Sequence, residues 1–185
     1  MNFVSTVFML VSGLAAGYFE TGQYSKAESL TRRCLAIAET PQQLGNLAAV
    51  YQSRHKYAEA ERLYLRALDL FPSAQSKEAA FVLHNLASLR MAQGRPVEAA
   101  AYLERAVAIW ADGSDAVAYA QGLAHLAFVY SQMGRDGDSE RLWKESLTLL
   151  RSVVGVESPV YARLAAAYRN RPHPYTVDYR SLLPR

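Results

Sequence analysis

The sequence predicts an all-α fold built from repeated helix-turn-helix hairpins, and three observations predict it. First, a breaker followed by an amphipathic helix recurs at residues 22–37 (GQYSKAESLTRRCLAI), 56–70 (KYAEAERLYLRALDL), 94–110 (GRPVEAAAYLERAVAIW) and 134–150 (GRDGDSERLWKESLTLL). Second, each copy carries a small residue early in its helix, Ala27, Ala60, Ala99 and Ser139, at spacings of 33, 39 and 40 residues. A second small residue follows seven places later, at Cys34, Ala67, Ala106 and Ser146. Third, a Leu-Ala segment precedes each copy: LAAGYFETG from Leu14, LAAVYQSRH from Leu47, LASLRMAQG from Leu86 and LAFVYSQMG from Leu126. A fifth, LAAAYRNRP from Leu164, has no second helix after it. Periods of this length mark supersecondary units that bury their apolar faces by stacking. Leu fills the space between helices and Ala permits close approach, as a densely packed interior requires.

The elements follow in order. Residues 1–19 are uncharged. A signal peptide would want a positive n-region, which is missing, and a membrane span needs about 20 mainly apolar residues, whereas this stretch contains Asn2, Ser5, Thr6, Ser12, Gly13 and Gly17. Leu14, Ala15 and Tyr18 fall in register with the later copies, so the segment reads as the first helix of the first hairpin. That favours a cytoplasmic protein, with membrane association or export through residues 1–19 as the alternative. The second hairpin opens with Thr40 as N-cap and Pro41 at the first helical position. Gln43 is placed to complete a capping box. This helix should run to about Ser53 and its mate over 57–70, where Phe71-Pro72-Ser73 stops it. The third hairpin starts from Ser76 and turns at Gly94-Arg95-Pro96. The fourth starts after Asp112-Gly113-Ser114, with Ser114 as cap, and turns at Gly134-Arg135-Asp136. Ser158-Pro159 begins the last helix. Residues 172–185 form a tail interrupted by Pro172, Pro174 and Pro184. It is expected to dock through its tyrosines and leucines or to remain partly disordered.

The pattern resembles the tetratricopeptide repeat (TPR), over roughly residues 8–171. The longer spacing of the later copies, and the helix starts EAAFVLHNLASL and ESPVYARLAAAY, are similar to the kinesin-light-chain subclass. Arg90 stands where the other copies have Tyr18, Tyr51, Tyr130 and Tyr168, and Pro96 replaces a Tyr near the start of its helix. The resemblance implies a right-handed α-solenoid of four hairpins and a terminal fifth helix, as one domain over 1–171. It also implies a protein-interaction scaffold or adaptor that binds a peptide or protein segment in a concave groove. A second reading is a ligand-sensing regulatory domain of a signalling system.

Composition sets bounds on chemistry. The chain has 185 residues, 51% of them hydrophobic and 20% charged, with a net charge of +3. These are values of an ordinary globular domain, and no basic run interleaved with aromatics suggests nucleic acid. One cysteine excludes an internal disulfide, and Cys34 occupies a small-residue core position. His55, His84, His125 and His173 make no pair at i, i+4, and no HExxH, P-loop, GxSxG or GxGxxG motif occurs. Neither metal, cofactor nor catalysis is expected.

The family implies that the first helices of successive hairpins line the groove. The residues flanking the Leu-Ala pair there are amides, imidazoles and aromatics where a solvated face would carry Lys and Glu. The candidate binding residues are Asn46, Phe81, His84, Asn85, Ser88, Gln121, His125 and Phe128, with core packing the competing reading for the two phenylalanines. Amides pair with both groups of a peptide bond, and aromatics add contact area at small entropic cost. Some TPR proteins clamp acidic chaperone C-termini with Lys, Asn and Arg. The cations of that clamp are absent from the second to fourth first helices, apart from Arg90 at a Tyr position, so that ligand is not expected. The uncharged N-terminal helix would leave an apolar stripe, which a homodimer could cover.

Overall fold

A computed structural model describes residues 3–73, 75–113 and 115–170. Among them are nine helices and no strand: α1 (Phe3–Glu20), α2 (Tyr24–Ile37), α3 (Pro41–Ser53), α4 (Tyr57–Asp69), α5 (Lys77–Ala92), α6 (Pro96–Trp110), α7 (Ala116–Gln132), α8 (Asp136–Val154) and α9 (Pro159–Arg169). The described residues form two compact units, 3–85 and 86–170, and the division falls within α5. In the first unit α2 packs on α1 and on α3, and α3 on α4. In the second, α7 packs on both α6 and α8, and α9 lies on α8. The expected tail docking concerns residues 172–185, which lie outside the described residues, as does His173.

Helix starts follow local chemistry. Thr40, Ser76 and Ser158 accept hydrogen bonds from Gln43 N, Ala79 N and Val160 N, which satisfies amides that have no partner within the first turn. Two expectations are corrected. Asp115, rather than Ser114, caps α7, accepting from Ala118 N at 2.9 Å. Gln43 closes no capping box. Its amide is buried and donates to Ser12 Oγ at 2.8 Å, so it ties α3 to α1.

The turn inside each hairpin is the same structure built four times. Gly22, Gly94 and Gly134 have φ of 73, 71 and 73°, and His55 takes the same place with φ 59°. The next amide reaches back to the carbonyl five residues earlier: Gln23 to Tyr18, Lys56 to Tyr51, Arg95 to Arg90 and Arg135 to Tyr130. This is the six-to-one bond of a left-handed helix cap. Glycine suits the left-handed conformation because it has no Cβ to clash.

The small residues occupy the tightest places. Ala27, Ala60, Ala99, Cys34, Ala67 and Ala106 are fully buried, and Ser139 and Ser146 sit at the equivalent positions of α8. The two serines differ in one respect. Ser146 Oγ donates to Ala120 O on α7 at 2.6 Å, whereas Ser139 Oγ is buried with no hydrogen bond. An unsatisfied buried hydroxyl is costly, and an ordinary internal hydrogen bond contributes modestly. Ser139→Ala should therefore stabilise the chain by about 1 kcal/mol, while Ser146→Ala costs about 1 kcal/mol. Urea denaturation of the two variants checks this, and equal shifts of one sign would contradict it.

Candidate peptide-binding face

In the first unit the candidates lie on α3 and on the first half of α5. Asn46 lies between buried Leu44 and Leu47 and is itself exposed. On α5, Phe81 is 47% exposed, and His84 and Asn85 are half-buried. Phe81, His84 and Asn85 follow one another at i, i+3 and i+4, so they share one side of the helix. Asn46 and Asn85 each directly precede the repeat leucine, Leu47 and Leu86, and so hold the same register position. Neither asparagine nor the phenylalanine carries a charge, and the helix backbone beneath is fixed by the buried leucines.

In the second unit the candidates are less accessible. Gln121 is half-buried, but Ser88, His125 and Phe128 are buried. Phe128 belongs to the unit's hydrophobic core, together with Leu103, Leu126 and Trp143. It is therefore a packing residue, and it does not present its ring to solvent as the groove expectation had it. The cause is the placement of α7 between α6 and α8, which buries every residue from Gly122 to Tyr130. A sequence signal existed: α7 is apolar nearly all round, the mark of a helix covered on all sides.

A second set of residues escaped the sequence reading. The repeat tyrosines bond to carboxylates on the second helix of the preceding hairpin. Tyr51 Oη donates to Glu28 Oε1 (3.2 Å), Tyr130 Oη to Glu104 Oε1 (2.8 Å) and Tyr168 Oη to Glu140 Oε1 (2.7 Å). Glu28 and Glu140 directly follow the small residues Ala27 and Ser139, a dipeptide visible in the sequence. In the third copy Ala100 stands at that place, and Glu104 serves instead. Around Tyr51 the Arg32 guanidinium bonds the phenol oxygen and Arg54 pairs with Glu28. Arg135 stacks on the Tyr130 ring, 3.7 Å from its centroid.

These contacts shift the titrations. Burial first, then the adjacent carboxylate, raises the phenols of Tyr51 and Tyr130, and Tyr119 beside Glu145 behaves alike. Burial alone raises that of Tyr64. For Glu28, partial burial pushes its pKa up, but hydrogen bonds from Arg32 and Tyr51 and the charges of Arg54 and Arg32 outweigh it, so the net shift is downward. A phenol raised on folding stabilises the fold fully below its unfolded pKa of about 10, and that contribution is lost as pH climbs through the folded value. Stability should thus fall above about pH 10. Tyr51→Phe combined with Tyr130→Phe should flatten the decline, measured as melting temperature against pH. An unchanged alkaline slope in the double variant would contradict the assignment.

No group of His, Cys, Asp and Glu suited to a metal ion occurs among the described residues. No helix among them is long and apolar enough to cross a membrane.

The repeated hairpins with a left-handed turn, the buried small positions and the largely uncharged first helices define a class, the helical-repeat proteins. The family model for the tetratricopeptide repeat matches residues 42–112 and 78–152, more than half of the chain. The chain belongs to the tetratricopeptide-repeat family, whose members generally mediate protein–protein interaction. Solved structures agree on the fold. One is a Podosopora anserina protein described as "kinesin light chain nearly identical TPR-like repeats", at TM-score 0.68 and 22% identity, covering 88% of this chain and 87% of that one. BtubC (BKLC) from P. vanneervenii gives 0.67 and 22%, over 92% and 68%. Pseudomonas aeruginosa pilF gives 0.69 and 23%, over 90% and 70%. No curated protein matches the chain. The fold is thus all-α, of the TPR solenoid class, and its structural neighbours include kinesin-light-chain-like repeats.

Proposed function

We propose that this chain is a cytoplasmic adaptor that holds an extended peptide or protein segment on the open side of its first helices, with no catalytic step. The observation that carries the reading is the face of the first unit: exposed Asn46 on α3, and exposed Phe81 beside half-buried His84 and Asn85 on α5. Phe81 offers apolar area to a side chain, and the amides offer a donor and an acceptor to the peptide backbone. Such contacts hold a backbone without reading much of its sequence. In the second unit Gln121 is the accessible member. Ser88, His125 and Phe128 act beneath the surface, where they fix the helices.

The test begins with peptides selected from a displayed random library against the full chain, followed by titration calorimetry. Asn85→Ala and Phe81→Ala should each weaken binding by about 1–3 kcal/mol, roughly five- to 150-fold. Both side chains reach solvent, so the melting temperature should hardly move. Unchanged affinity in both variants would overturn the reading.

A further inference from the structure

One side of α1 is an apolar surface open to solvent. Met9, Leu10 and Leu14 are 60, 69 and 52% exposed. Between and beyond them lie Gly13 and Gly17, where no heavy atom comes within 4 Å of the place a Cβ would occupy. The only charge on α1 is Glu20, its last residue. A soluble helix normally turns charged residues to water on the side away from its core, and this one does not.

The other first helices show what such a side takes. Aligning Leu14 with Leu47 and Leu126 sets Leu10, Leu14 and Gly17 on Gln43, Leu47 and Val50 of α3. It sets the same three on Gly122, Leu126 and Val129 of α7. All six counterparts are buried. Each of these helices packs both on its own hairpin mate and on the helix before it, α3 on α4 and α2, α7 on α8 and α6. For α1 the mate α2 is in place, and the side left open is in register with these buried positions. The surface is therefore built to stack on a helix.

The residues on it also complement themselves. A two-fold axis between Gly13 and Leu14 would set a second α1 antiparallel to the first. Leu10 then faces Gly17 of the second copy, and Gly13 faces Leu14, so each leucine meets the flat backbone of a glycine. Thr6 meets Thr21, and no like charges oppose one another. Antiparallel helices bring opposite ends of their dipoles together, and two-fold symmetry is the commonest way for a soluble protein to pair. We propose that two copies of this chain associate through α1, antiparallel, with the Leu10, Gly13, Leu14 and Gly17 surface of each as the contact. The peptide-binding residues of α3 and α5 take no part, so the two readings fail independently.

Sedimentation velocity of the full chain, without detergent, should give twice the 20.5 kDa chain mass. Leu14→Glu and Gly17→Leu should both sediment as monomers with undiminished helical circular dichroism. Gly17→Leu is the cleaner of the two, because it improves helix propensity at an open position, so loss of the dimer cannot be put down to unfolding. With Cys34→Ala as background, Leu10→Cys mixed with Gly17→Cys should form a disulfide-linked pair far faster than either protein alone. A monomeric wild-type chain would overturn the proposal. So would a dimer that survives both substitutions, or cysteine variants that cross-link equally well alone. Flotation of a monomeric chain with phosphatidylserine-containing vesicles would also overturn it, and would assign the surface to a lipid instead.

Discussion

Replacing Trp143 by alanine should destabilise the second unit by about 3–5 kcal/mol, the range for removing a large buried aromatic. The indole is 1% exposed and lies in the core with Leu103, Phe128, Leu142 and Leu164. Its ring also meets that of Tyr168 on α9, centroids 6.0 Å apart at 52°. The helix α9 is also held by buried Leu164, by partly buried Val160, Tyr161 and Ala167 against the same core, and by the Tyr168 bond to Glu140. The loss should accordingly appear first as faster amide exchange in α9, before the rest of the unit opens. Urea denaturation followed by circular dichroism gives the magnitude. A change below about 1 kcal/mol would mean that the indole is not the keystone its burial implies.

Gly122→Ala should cost about 1–3 kcal/mol, the usual range for overpacking. A methyl group there would stand 2.9 Å from Cζ3 and 3.0 Å from Cε3 of Trp110, and 3.0 Å from Cγ2 of Val107. Trp110 is 2% exposed, so its ring has nowhere to move. The substitution also removes a helix glycine, worth up to about 1 kcal/mol in the opposite direction, so a net loss measures the strain at the α6–α7 contact. Gly45→Ala is the control: on α3 nothing lies within 4 Å of that position, and the variant should be neutral or stabilising. If the two behave alike, the close approach of α6 and α7 is not what selects glycine.

Most of the architecture was legible in the sequence because the repeat makes each copy a check on the others. The small residues at seven-residue spacing are fully buried because two helices cross there, and any larger side chain would separate them. The glycine turns are legible for a backbone reason, and His55 shows that register can identify the turn even where the glycine is missing. What could not be read was partner choice. Gln43 fits the pattern of a capping residue, but the capping bond is local, and the sequence does not reveal that Ser12, 31 residues away, competes for its amide. The tyrosines were visible as a repeated position, yet their acceptors differ between copies, with Glu104 standing in where Ala100 replaces the carboxylate. Among the candidate binding residues, pattern alone did not separate accessible Phe81 from buried Phe128. Both sit on first helices, and the burial of Phe128 arises from the helices that cover α7 on both sides.

Hydrogen–deuterium exchange of the full chain, with and without a selected peptide, tests the function most directly. Binding on the first helices should slow exchange in α3 and α5 around Asn46 and Asn85, and leave the exposed side of the second helix α4 near Leu65 unchanged. Protection confined to α4, with α3 and α5 exchanging as in the free chain, would contradict it.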